Sequence, residues 1–168
     1  MAERARDSGL PLVYAHLVGG QDEVVFDGGS FAVDAKGHLA ARAPAFAEDL
    51  FMVQVQVADA AHGGGVAVSG PMVPEHEELA QLWDALVLGV RDYVGKNGFP
   101  GVLLGLSGGI DSALVLAIAV DALGAEHVHG VSMPSRYSSE GSRTDAAKLA
   151  ANLGVELRTI SIEPAFSA

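Results

Sequence analysis

From Gly101 onward, short apolar runs alternate with helix-period segments, and few residues separate them. Residues 102–106, 128–133 and 155–160 are apolar runs of strand length, while 111–123 and 142–153 carry the three-and-four spacing of helices. Two successive βαβ crossovers of this type require a parallel sheet with right-handed connections, which removes most alternative topologies. Gly124 and Gly154 each follow the last apolar residue of a predicted helix, a position that favours left-handed backbone. The predicted fold class is α/β, with an open parallel sheet and crossover helices in the C-terminal part. In such sheets ligands bind beyond the carboxyl ends of the strands.

The preceding residues follow a different period. Strand-like runs at 12–18, 24–26, 31–34 and 51–57 are broken by turn signals. Among these, Asp34-Ala-Lys-Gly37 reads as a hairpin turn and Gln21-Asp-Glu23 as an acidic structural turn. Residues 58–74 contain His62-Gly-Gly-Gly65, Ser69-Gly-Pro71 and Pro74, a composition that favours loop. The chain is therefore divided into 1–57, a linker at 58–74, and 75–168. A helix is predicted over 75–94, its acidic start at the positive dipole end. Leu79, Leu82, Trp83, Leu86, Val90 and Tyr93 form its apolar stripe, with Trp83 and Tyr93 as core or interface residues.

Ten Lys and Arg stand against 21 Asp and Glu, a formal net charge of -11, which argues against broad attraction to nucleic acid or anionic lipid. Any anionic ligand must be held by local groups. No cysteine is present, which removes disulfides, thiolate metal sites and cysteine nucleophiles. The first residues lack the apolar stretch of a secretory signal, and the longest apolar run, 113–120, is far short of a bilayer span. The expected location is the cytoplasm. His127 and His129 lie two apart, but two ligands rarely make a metal site, and surface histidines are expected.

The chemistry concentrates where strand 102–106 runs through Ser107-Gly108-Gly109-Ile110-Asp111-Ser112 into a helix. Two glycines let backbone amides approach a ligand, and a helix start adds unsatisfied N–H groups with partial positive charge, a cradle suited to phosphate. Asp111 would repel a bare polyphosphate but becomes useful with a hard divalent cation between them, which points to a magnesium nucleotide. The Walker loop and the dinucleotide fingerprint both fail on these residues. Gly105-Leu-Ser-Gly-Gly109 also satisfies the G-x-S-x-G nucleophile elbow, which would make Ser107 a hydrolase nucleophile; the later histidines, His127 and His129, sit where a triad partner is not expected. A glycine-rich turn without a ligand is the third possibility.

Ser107-Gly-Gly-Ile-Asp-Ser112 resembles the pyrophosphate loop of the N-type ATP pyrophosphatases. Val131-Ser-Met-Pro-Ser-Arg-Tyr-Ser-Ser-Glu-Gly-Ser142, then Asp145-Ala-Ala-Lys-Leu-Ala150 and Ile160-Ser-Ile-Glu-Pro-Ala-Phe166, look like NAD synthetase specifically. Upstream, 12–30 looks like the late part of the nitrilase-type glutaminase domain fused to glutamine-dependent NAD synthetases. The resemblance implies an adenine nucleotide alpha hydrolase-like, Rossmann-like C-terminal part and the tail of a nitrilase-like sandwich before it. It implies ligase chemistry in which deamido-NAD is adenylated by ATP and then amidated by ammonia from glutamine. It assigns the ATP phosphates to Gly105, Leu106, Ser107, Gly108, Gly109, Ile110, Asp111 and Ser112, Mg2+ to Asp111, and the adenosine neighbourhood to Met133. Arg136 either reaches phosphate or pins its loop, and Ser138 to Ser142 cap a helix, contact nucleotide, or both. No residue of this chain is assigned as catalytic. The family is expected to be homo-oligomeric, with no nucleic-acid or membrane partner. The chain reads as a junction piece of the longer enzyme, without activity alone and, lacking cysteine, without glutamine hydrolysis. Another pyrophosphatase of the same fold and a non-catalytic assembly module remain alternatives.

Overall fold

The computed structural model describes residues 1–59 and 64–167, which form two compact units, 1–85 and 86–168. In the first, α1 (Ala2–Ser8) precedes β1 (Leu12–Tyr14), β2 (Val18–Gln21), β3 (Val24–Asp27), β4 (Phe31–Val33), β5 (Leu39–Arg42), β6 (Gln54–Ala58) and β7 (Gly65–Ser69). These make antiparallel groups β1-β4-β5, β2-β3 and β6-β7. The Asp34 turn is the predicted hairpin. One carboxylate oxygen accepts from Lys36 N and His38 N, each at 2.8 Å, so the side chain replaces missing ladder partners. Asp22 and Glu23 form the two-residue turn between β2 and β3. The core here is small: Ala32, Ala41 and Val68.

Three expectations for this part are corrected. Residues 1–11 carry no predicted element yet contain α1, and β5 lies outside the predicted strands. Within the expected loop, residues 65–69 are β7, which pairs in register with β6 from Val55↔Val68 to Ala58↔Gly65. Glycine and proline flank that strand rather than interrupt it, so composition averaged over 58–74 hid the Val66-Ala-Val68 run. His62 and Gly63 lie outside the described residues.

Helix α2 (Glu78–Lys96) follows, and the division between units falls within it. Its predicted stripe is largely exposed, with Leu79 at 80%, Leu82 at 57% and Tyr93 at 61%, while the helix buries Leu88 and Val94 instead. Period locates an apolar face but does not say what covers it.

The second unit alternates as predicted through β8 (Val102–Gly105), α3 (Ile110–Leu123), β9 (Val128–Ser132), α4 (Glu140–Leu153) and β10 (Glu156–Thr159), and adds a short α5 (Glu163–Phe166) that is not predicted. The strands form a parallel sheet in the order β10-β9-β8. Leu116 and Ala119 of α3 and Ala146 and Ala150 of α4 pack with Leu106, Val128 and Val155 in one core. Small residues on α4 let the helix approach the sheet closely. Gly154 closes α4 in left-handed backbone at φ 71, ψ 21. Gly124 also has positive φ, but its ψ of 148 leads directly into a 3-10 turn, so it is not the expected left-handed cap. No described helix is long and apolar enough to cross a membrane.

Candidate functional site

β8 delivers the chain to the turn at the carboxyl end of the sheet. Gly105 is its last residue, and the Leu106 side chain is buried in the core while its N–H donates to the Val131 carbonyl at 2.8 Å. Leu106 therefore anchors the turn. Ser107 and Ser112 then clasp each other, their hydroxyl oxygens 3.1 Å apart. Ser112 Oγ donates to the Gly109 carbonyl at 3.0 Å, and Gly109 N donates to Ser107 Oγ at 3.2 Å. The serines thus fix the shape of the loop from inside.

Gly108 requires glycine for two reasons. Its φ is 82, and a Cβ there would collide with the Ser142 carbonyl of α4. The first turn of α4 therefore abuts the loop, and Ser139 holds that turn by accepting from Ser142 N at 3.0 Å. Of the two roles open for Ser138 to Ser142, helix capping is present.

The first helical bond of α3 is Ala113 N to the Gly109 carbonyl, 3.1 Å. Among the described residues, the N–H groups of Gly108, Ile110, Asp111 and Ser112 consequently have no protein acceptor. Donors without acceptors at a helix end carrying roughly half a positive charge from its dipole suit an oxyanion. Asp111 stands on the exposed first turn of α3 with no ion pair among the described residues. Ile110 points outward at 81% exposure. Met133, half exposed, reaches back over β8: a Cβ on Gly105 would lie 3.2 Å from its methyl carbon.

A groove of about 260 Å³ runs beside the turn, lined by Leu106, Gly108, Gly109, Ser112, Asp145 and Leu149 among others. Asp145 is not among the expected site residues. It is brought in by α4, more than thirty residues downstream and beside the Ser142 carbonyl, and no local signal announces it. Arg136 is pinned rather than directed to the turn: its backbone N–H and guanidinium both bind the Glu163 carboxylate. Those bonds hold the Glu163 carboxyl below the usual carboxylate range, the side-chain bond from Arg136 first and its backbone bond second.

The hydrolase alternative finds no support in this geometry. Ser107 Oγ bonds Ser112 and Gly109, whereas His127 Nδ1 lies 3.0 Å from the Pro100 carbonyl and His129 Nδ1 lies 3.6 Å from Glu156. Both histidines sit near the amino ends of the strands, at the opposite end of the sheet from the turn. The described residues contain no cluster of three or more metal-ligating side chains.

Residues 82–168 match the family model of NAD synthase, and residues 1–62 match that of carbon-nitrogen hydrolase. A glutamine-dependent NAD(+) synthetase of Synechocystis is 49% identical over 164 residues, covering 98% of this chain and 29% of that protein. One from Rhodobacter capsulatus is 49% identical over 160 residues, covering 95% of this chain and 28% of its own length. The solved structure of glutamine-dependent NAD+ synthetase from Acinetobacter baumannii, in complex with adenosine diphosphate, has a TM-score of 0.88 at 44% identity, covering 99% of this chain and 31% of that one. The chain spans less than a third of the length of these relatives. With the strand, turn and helix that expose these amides all inside the matched segment, the chain belongs to the NAD synthase family.

Proposed function

We propose that this chain supplies the ATP-phosphate cradle of a glutamine-dependent NAD synthetase. In the reaction, a carboxylate oxygen of deamido-NAD attacks the α-phosphorus of ATP, pyrophosphate leaves, and ammonia then displaces AMP to form the amide. The observation that carries the reading is the set of four amides, at Gly108, Ile110, Asp111 and Ser112, that lack acceptors among the described residues at the start of α3. Support comes from the related Acinetobacter baumannii enzyme, whose structure contains ADP.

On this reading Gly105 to Ser112 surround the phosphates, chiefly through backbone, and Met133 borders the adenosine. The Ser107 and Ser112 hydroxyls hold the loop in the receiving conformation. Mg2+ fits the residues present: magnesium is commonly held by one or two carboxylates plus substrate phosphates, and Asp111 offers one exposed carboxylate beside the amides. When bound, the ion would offset charge building on the phosphate oxygens during attack. Residues 1–57 are read as part of the nitrilase-like glutaminase domain and 75–168 as part of the synthetase domain. The chain holds no cysteine, so a thiolate attack on glutamine belongs to residues outside it. A homo-oligomeric, cytoplasmic full-length enzyme completes the reading.

Calorimetric titration with ATP in the presence and absence of magnesium tests it. The unaltered chain should bind, more tightly with magnesium, and Asp111→Asn should lose that magnesium dependence. No binding by the unaltered chain overturns the cradle; an unchanged dependence in Asp111→Asn removes Asp111 from the metal.

A further inference from the structure

We propose that Glu163 is a positioning residue for the nucleotide site, acting through Arg136 to hold the loop between β9 and α4. The proposal rests on the cradle reading above. Glu163 Oε2 accepts from Arg136 N at 2.9 Å, and Oε1 accepts from the guanidinium. Arg136 Nη2 also donates to Ser167 Oγ at 2.8 Å, and that hydroxyl lies 3.3 Å from Glu163 Oε1. One turn away, the Pro134 carbonyl accepts from Ile162 N at 3.2 Å and from Ser161 Oγ at 3.4 Å. The segment after β10 is thereby laced to the loop after β9.

Both ends of that loop meet the cradle. At one end Met133 lies over Gly105; at the other, Ser139 caps α4 and the Ser142 carbonyl abuts Gly108. A loop released from Glu163 could shift either wall. The Arg136 side chain is exposed and Glu163 partly so, and ion pairs open to solvent contribute little to stability, so position and stability are separable here.

The test compares the full chain with Glu163→Ala, Glu163→Asp, Arg136→Ala and the Glu163→Ala/Arg136→Ala double variant. Readouts are Mg·ATP affinity by calorimetry, amide hydrogen exchange at Arg136, and melting temperature. Glu163→Ala should weaken binding by about tenfold, with Arg136→Ala similar and the double variant no worse than either. Glu163→Asp should recover part of the loss, and exchange at Arg136 should quicken in Glu163→Ala while the melting temperature stays close to that of the unaltered chain. Faster exchange with unchanged affinity overturns the positioning role, as do additive losses, or a large fall in melting temperature, which would make the role structural. If the unaltered chain binds no Mg·ATP, the cradle reading fails and the proposal with it; if the unaltered chain and Glu163→Ala bind equally, only the proposal fails.

Discussion

The first unit contains a hollow of about 340 Å³ lined by His16, Gly28, Ser30, Glu48 and Asp49 among others, larger than the 260 Å³ groove beside the Ser107 turn. Several of its backbone donors are engaged within the unit. Gly28 N donates to the Leu17 carbonyl at 3.1 Å, Ala43 N to the Ser30 carbonyl at 2.8 Å, and His16 N to Ser30 Oγ at 2.9 Å. His16 Nδ1 lies 3.1 Å from an Asp27 oxygen. Around the smaller groove, the amides of Gly108, Ile110, Asp111 and Ser112 have no acceptor among the described residues. Volume records where side chains fail to fill space; what sets the smaller groove apart is its place at a helix start beyond the carboxyl end of a parallel strand, where the helix dipole adds partial positive charge to the free amides. The cores differ in kind as well: alanines and one valine in the first unit, Leu106, Leu116 and Val128 among the buried residues of the second.

The sharpest way to break this comparison is at Gly108. Gly108→Val forces a branched side chain onto φ 82 and into the Ser142 carbonyl, a distortion of about 3 kcal/mol, so Mg·ATP affinity should drop about a hundredfold in calorimetry. Ser30→Ala, at the larger hollow, should leave that affinity unchanged. Next in size is the contrast between cores. Leu116→Ala should destabilise the second unit by about 3 kcal/mol, whereas Val68→Ala, losing two buried carbons, should cost the first about 1.5 kcal/mol. Urea unfolding monitored by hydrogen exchange in each unit separates the two, and equal losses would undo the contrast.

A smaller effect lies at the cap of α4. Ser139→Ala should cost about 1 kcal/mol, seen as faster amide exchange at Ser142 and Arg143. The smallest is a pH effect shared by both units. Asp34 is held below the usual carboxylate range, first by the His38 backbone N–H, and Glu163 first by the Arg136 side chain. For a lowered folded-state pKa, the stabilisation is present above the unfolded value and disappears as pH falls through the folded value. Exchange at Lys36 and Arg136, corrected for intrinsic rates, should therefore accelerate below about pH 4 in both loops. Acceleration in only one would show that one carboxylate is merely adjacent to its loop.

Legibility also divides along the two units. In the second, the three strands β8 to β10 and the helices α3 and α4 lie where period places them, within two residues at either end, because strand and helix periods differ strongly and each segment satisfies one of them; the short α5 is not predicted. In the first, strands of three to five residues carry too few alternations to register, so β5 and β7 were missed. The Ser107–Ser112 turn was readable because its residues are contiguous. Asp145 and Glu163 were not, since α4 and the segment after β10 bring them into play from far along the chain.

Residue order alone determined that the C-terminal part is a parallel α/β sheet with a serine- and glycine-rich turn at a helix start, because those features depend on local period and on neighbours within a few residues. Only the tertiary structure decided that Ser142 closes against Gly108, that Arg136 is committed to Glu163, and that the α2 stripe is exposed. Each of these is set by which distant segment arrives alongside, and hydrogen-bond completion and burial are properties of such pairs rather than of either segment by itself.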